Sequence, residues 1–74
     1  HAANGSGYEF VADMVLRLDG INPMMAANLA KPLGRYKRHT QDRQQLMQAQ
    51  LTRLSQADLS KDVFEVVSKA LAAN

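Results

Sequence analysis

The sequence predicts an all-α fold of about four helices in antiparallel pairs, and three observations carry that prediction. Apolar residues recur every three or four positions in four separate stretches, the spacing of one helix face and not the alternation of a strand. Ser, Asn, Thr, Pro and Gly punctuate those stretches where helices start and stop. The apolar side chains are mostly Leu, Val, Met and Ala, with Tyr8, Phe10, Tyr36 and Phe64 as the aromatics, and Leu, Met and Ala are strong helix formers.

The first helix is expected over 7–19. Ser6-Gly7-Tyr8-Glu9 fits a capping box, in which the Ser6 hydroxyl accepts from the amide three residues on and Glu9 reaches back. Val11, Met14, Val15 and Leu18 form the apolar stripe, flanked by Tyr8 and Phe10, while Arg17 and Asp19 mark the polar side. Gly20 is a natural stop because glycine can take the left-handed conformation after a helix end.

The second helix is expected over 23–31. Asn22 caps it, and Pro23 suits the first turn, where its missing N–H has no partner to lose. Met25, Leu29 and Leu33 form a stripe, with Ala26 and Ala30 beside it to admit a close neighbour. Pro32 ends or kinks the helix, and Leu33 to His39 reads as a short helical turn or a loop.

The third helix, 41–55, follows Thr40 as its cap and carries Leu46, Met47, Leu51 and Leu54 on a Gln-rich background. The fourth, 61–72, follows Ser60 as its cap, with Asp62 favoured in the first turn by the helix dipole. Val63, Val67, Ala70 and Leu71 line one face, widened by Phe64 and Val66. Helices joined by short links fit a bundle or a slice of an α-solenoid equally, and no internal repeat is visible.

Residues 1–74 make at most one small domain, expected to be marginally stable at about 5 kcal/mol or less. With no cysteine, neither a disulfide framework nor a thiolate zinc site can support it. No apolar run approaches the roughly 20 residues that span a membrane. Nine basic and seven acidic side chains leave a net charge of +2, too balanced to imply nucleic acid by itself. The chain opens on His1 without a methionine and reads as if it starts in mid-loop, so a cut from within a larger protein is expected. Freed from such a parent, a helical slice is expected to expose an apolar face and to self-associate or partly unfold.

No catalytic apparatus assembles. His1 and His39 lack partners at metal-ligand spacing, and H-E-x-x-H is absent. Ser6, Ser55, Ser60 and Ser68 sit where caps and helix surfaces account for them. Gly5-Ser6-Gly7 is read as a cap and turn, not as a phosphate loop. Met24 and Met25 are read as core filler before they are read as a soft binding surface. Lys31, Arg35, Lys37, Arg38 and Arg43 form the one basic stretch, interrupted by Asp42. It reads first as a solvated connector, its cations favoured at the C-terminal end of the second helix. Its second reading is a contact surface for nucleic acid or an acidic partner, with Tyr36 interleaved.

The segment His1-Ala2-Ala3-Asn4-Gly5-Ser6-Gly7-Tyr8-Glu9-Phe10 resembles the H-A-x-D/N-G-x-G-Y-x-F stretch of bacterial zinc aminopeptidases of the aminopeptidase N (gluzincin) type. Asn22-Pro23, Ala26, Leu29 and Pro32-Leu33 are similar to their N-P-x-x-A-x-x-L-x-x-P-L, and Arg35, Lys37 and Arg38 to the R-x-K-R that follows. Arg43-Gln44, Met47, Leu51, Leu59-Ser60 and Lys69-Ala70-Leu71 continue the resemblance to nearly the end of the chain. The resemblance implies the end of a HEAT/ARM-like C-terminal superhelix of stacked helix pairs, which covers the catalytic cleft and walls an internal substrate cavity. It further implies a cytoplasmic parent that removes N-terminal residues from peptides with one zinc, held by H-E-x-x-H and a distant Glu, none of them in this segment. Many relatives carry Arg at the position of Asn28, facing that cavity, so Asn28 is the cavity-lining candidate here.

Two functions are therefore weighed. The preferred one is a non-catalytic helical part of a zinc aminopeptidase, partnered by the parent's other domains and their peptide substrates, with no cofactor in this segment. The alternative is a free-standing helical module binding through the basic stretch 31–43, whose affinity would fall steeply with salt.

Overall fold

The computed structural model describes residues 6–38 and 40–72, and the side chains of these other than Ser6, Tyr36, Lys37 and Arg38. Among them are four α-helices and no strand: α1 (Ser6–Asp19), α2 (Pro23–Ala30), α3 (Gln41–Ser55) and α4 (Lys61–Ala72), with a 3₁₀ segment Lys31–Arg38 between α2 and α3.

The turn after α1 reverses the chain through two amides, Ile21 N–H and Asn22 N–H, both donating to the Leu18 carbonyl at 2.9 and 2.7 Å. Gly20 does not use the left-handed region expected of it, and an added Cβ would meet only the Arg17 carbonyl, at 3.8 Å. Asn22 then caps α2 as expected: its side-chain oxygen accepts from Met25 N–H at 3.2 Å, and Pro23 follows. The α-helix gives way at Lys31, one residue earlier than expected, because Pro32 has no N–H to continue the ladder. The chain tightens into the 3₁₀ segment, broken at Arg35 (φ −96°, ψ 24°). Thr40 precedes α3, but its side chain makes no capping bond, and only its carbonyl joins the ladder, accepting from Gln44 N–H at 2.8 Å. The Ser6 hydroxyl of the expected capping box lies outside the described side chains.

Side-chain neighbours give the helix directions. Pro32 and Leu33, after α2, share a groove with Gly7, Tyr8 and Val11 at the start of α1, so α1 and α2 are antiparallel. Arg43 joins that same groove while Arg53 reaches Asp13, so α3 runs parallel to α1. Met24 to Lys31 lie along Asp62 to Val66, and Lys31 to Arg35 along Glu65 to Ala70, so α4 runs parallel to α2. The molecule is two helix hairpins stacked like on like, α1 beside α3 and α2 beside α4.

The core they enclose is Ala12, Val15, Ala26, Ala27, Ala30, Leu33, Met47, Leu51, Leu54, Val63, Val67 and Ala70. Five of these twelve are alanines, which let backbones approach closely but remove little apolar area from water. The stripes expected on α3 and α4 are largely the buried ones. On α2 the expectation fails at Met25, which is exposed, because α2 turns Ala26, Ala27 and Ala30 toward its neighbours. Phe10 and Phe64, expected beside the core, are likewise more than half exposed.

Two polar ties lock the hairpins together. Asp19, the last residue of α1, accepts from Ser60 N–H at 2.7 Å and from the Ser60 hydroxyl, while Ser60 Oγ accepts from Val63 N–H at 3.3 Å. The carboxylate thus sits at the N-terminus of α4, where the helix dipole favours negative charge. The Arg53 guanidinium meets Asp13 at 2.5 Å in a half-exposed pair that contributes about 1 kcal/mol or less.

Candidate functional site

Asn28 stands exposed on α2, on the flank facing α4, because α2 and α4 run side by side with a groove between them. Lys31 follows one turn later on the same flank, and Asp62 and Glu65 face the groove from α4, enclosing about 300 Å³ with Met24 and Val66. The groove continues past Lys31 along Gly34 and Arg35, opposite Glu65, Lys69 and Ala70, with a volume of about 460 Å³. Its floor is close-packed: a Cβ placed on Gly34 would come within 3.3 Å of the Ala70 Cβ. Lys69 pairs with Glu65 at 3.3 Å across one helical turn, in solvent, and contributes a few tenths of a kcal/mol.

The basic stretch is therefore divided. Lys31 and Arg35 belong to the α2–α4 groove and face carboxylates there. Arg43 lies on the other side of the 3₁₀ segment, lining a mostly apolar groove with Tyr8, Leu33 and Met47. The side chains of Lys37 and Arg38, with Tyr36 and His39, lie outside the described residues. Asp62 and Glu65 were missed as groove residues. Their three-residue spacing on one helix face was a usable signal, but nothing local tells which helix that face meets.

Chemically, the groove offers one amide, three cations and two carboxylates in open water: a surface that can hydrogen-bond and orient a polar chain, not a centre that can activate a nucleophile. Ser55 and Ser68 donate to the carbonyls of Thr52 and Glu65, at 2.6 and 3.3 Å, and Ser60 is held by Asp19. Among the described residues, no three His, Cys, Asp or Glu side chains gather as metal ligands, and no helix is long and apolar enough to cross a membrane.

Helix hairpins stacked in parallel register, with their grooves open to solvent, define a slice of a helical-repeat domain. A family profile described as a domain of unknown function (DUF3458_C) with ARM repeats matches residues 1–72, and the chain belongs to that family. Aminopeptidase N of Caulobacter vibrioides is 47% identical over 72 residues, 96% of this chain and 8% of that protein. Aminopeptidase N of Haemophilus influenzae is 49% identical over 72 residues, again 96% and 8%. That of Escherichia coli is 44% identical over 73 residues, 97% and 8%. The chain thus spans 8% of the length of these relatives, and it corresponds to a helical part of an aminopeptidase.

Proposed function

We propose that this chain is the non-catalytic C-terminal helical part of a cytoplasmic zinc aminopeptidase that releases N-terminal residues from peptides. It packs over the catalytic cleft of its parent and helps wall the substrate cavity. The observation that carries this reading is the match of nearly the whole chain, at 44–49% identity, to three proteins named aminopeptidase N. In this reading the metal and the chemistry it supplies belong to the rest of the parent, since H-E-x-x-H is not in this segment. What this chain contributes is shape and polar contact. The α2–α4 groove, with Asn28 and Lys31 on one wall and Asp62 and Glu65 on the other, is the surface suited to face a peptide. The placement of Lys31 and Arg35 in a groove also lined by Asp62 and Glu65 favours this reading over a nucleic-acid surface.

The test uses the full-length polypeptide containing this segment and the 74-residue chain alone. Hydrolysis of an aminoacyl anilide and bound zinc are measured on both. The full-length protein is expected to hydrolyse the substrate and carry zinc, and the separate chain to do neither. A full-length protein with neither property, or a separate chain that hydrolyses the substrate in a metal-dependent way, refutes the proposal.

A further inference from the structure

The α2–α4 groove changes sign along its length. Its two stretches share Lys31, Glu65 and Val66. Toward the start of the two helices the groove adds Asn28 and Asp62. Beyond Lys31 it adds Arg35 and Lys69 and, among the described residues, no further acid. One end therefore presents a carboxylate and an amide, the other two cations, with Lys31 and Glu65 opposed between them. The parallel course of α2 and α4 creates this order, because residues later in both helices fall at the same end. Glu65 is engaged by Lys69 at 3.3 Å. Lys31 and Arg35 are exposed and, among the described residues, form no ion pair. Helix dipoles favour cations at C-terminal ends, which accounts for Lys31 and Lys69. Arg35 lies past the end of α2, at the break in the 3₁₀ segment, where that reason does not apply.

We propose that this groove holds the far end of a peptide substrate, with the peptide's C-terminal carboxylate between Lys31 and Arg35 and the residues before it passing Asn28 toward Asp62. The proposal rests on the aminopeptidase reading, which supplies the substrate class. Three features select the occupant. The unpaired cations sit together at one end, and the planar guanidinium of Arg35 matches a carboxylate with two parallel N–H donors. The Asn28 side chain offers both a donor and an acceptor, as a passing peptide group requires. Asp62 and Lys69 are two turns apart on α4, about 10 Å along its axis, which an extended peptide covers in about three residues. The negative ends of the α2 and α4 dipoles offset part of the cationic charge, so the selectivity is modest.

The test uses the full-length polypeptide and alanine peptides of increasing length, each as the free acid and as the C-terminal amide. The free acid is expected to be preferred at one or more lengths by about fivefold in KM, the scale of one exposed charge pair. Arg35→Gln and Lys31→Gln, made singly, are each expected to reduce that ratio toward one, and Arg17→Gln, on α1, to leave it unchanged. Because the readout is a ratio of two substrates on one protein, a general loss of activity cancels, and two groove variants are used so that one failing to fold does not silence the test. A peptide amide ending in Glu examines the other source of a carboxylate and is expected to be hydrolysed no better than the alanine amide. Equal KM for acid and amide at every length, or an acid preference that survives in both groove variants, overturns the proposal. A Glu-ending amide that matches the free acid overturns its commitment to the chain terminus. The anilide, which has no carboxylate, reads the aminopeptidase activity separately. A protein active on the anilide but indifferent to acid and amide refutes this proposal alone, whereas one inactive on anilide and peptides alike refutes the aminopeptidase reading and this proposal with it.

Discussion

Removing the Asp19 carboxylate tests the tie that joins the end of α1 to the start of α4 across 41 residues of sequence. In Asp19→Ala, the Ser60 amide and hydroxyl both lose their acceptor, and the α4 N-terminus loses a favourable charge. Hydrogen bonds to a charged group contribute about 1.5–3 kcal/mol, and the half-buried setting places this one near the lower end, roughly 2 kcal/mol. For a domain of this size that is a fall in Tm of roughly 8–16 °C. Ser60→Ala removes the cap hydroxyl and costs about 1 kcal/mol. Asp19→Asn, which keeps one oxygen acceptor but no charge, falls between wild type and Asp19→Ala. The hydroxyl–carboxylate bond disappears in both single variants, so the double variant is expected to be less destabilised than their sum by about 1 kcal/mol. Urea unfolding followed by far-ultraviolet circular dichroism, at low micromolar concentration to suppress association, measures wild type and all four variants. Additivity within about 0.3 kcal/mol would refute the tie and reduce Asp19 to a surface charge.

The same assay separates the two helix caps: Asn22→Ala is expected to cost about 1 kcal/mol, and Thr40→Ala close to nothing, since only Asn22 makes a side-chain bond. In the core, Leu51→Ala is expected to cost about 2–5 kcal/mol and Met25→Ala less than about 0.5, and the reverse order would mean that α2 and α3 present the wrong faces. Gly20→Ala is expected to stabilise by about 0.4–1 kcal/mol, because its backbone is not left-handed and the added methyl finds room. Gly34→Val is expected to destabilise by about 1–3 kcal/mol through its clash with Ala70. Sedimentation velocity of the 74-residue chain should show self-association that Phe10→Lys with Met25→Lys abolishes, and unchanged association in that variant would place the sticky surface elsewhere.

Helix number and placement were legible in the sequence because the signals that make a helix act within one turn of it. Asn22-Pro23 opens α2 through a bond three residues long, and Pro32 closes it by lacking one N–H. Thr40 and Gly20 show where local signals overreach: each residue type permits a cap or a left-handed turn, and the chain here uses neither. The groove was legible only in pieces. Asn28 and the basic stretch were visible as residue types, but the acids that face them lie on α4, beyond the whole of α3 in the sequence.

By itself, then, the sequence determined four helices, their boundaries to within a residue or two, and membership in a family of ARM-repeat segments found in aminopeptidases. The tertiary structure alone decided which arc of each helix is buried. A helical period marks an apolar arc without saying where along it a neighbour sits. On α2, close approach of α1 and α4 favours the alanines, and Met24 and Met25 are left outside. It alone joined Asp19 to Ser60 and Asn28 to the carboxylates of α4, since the stacking of one hairpin on the other, not any local propensity, brings those atoms together.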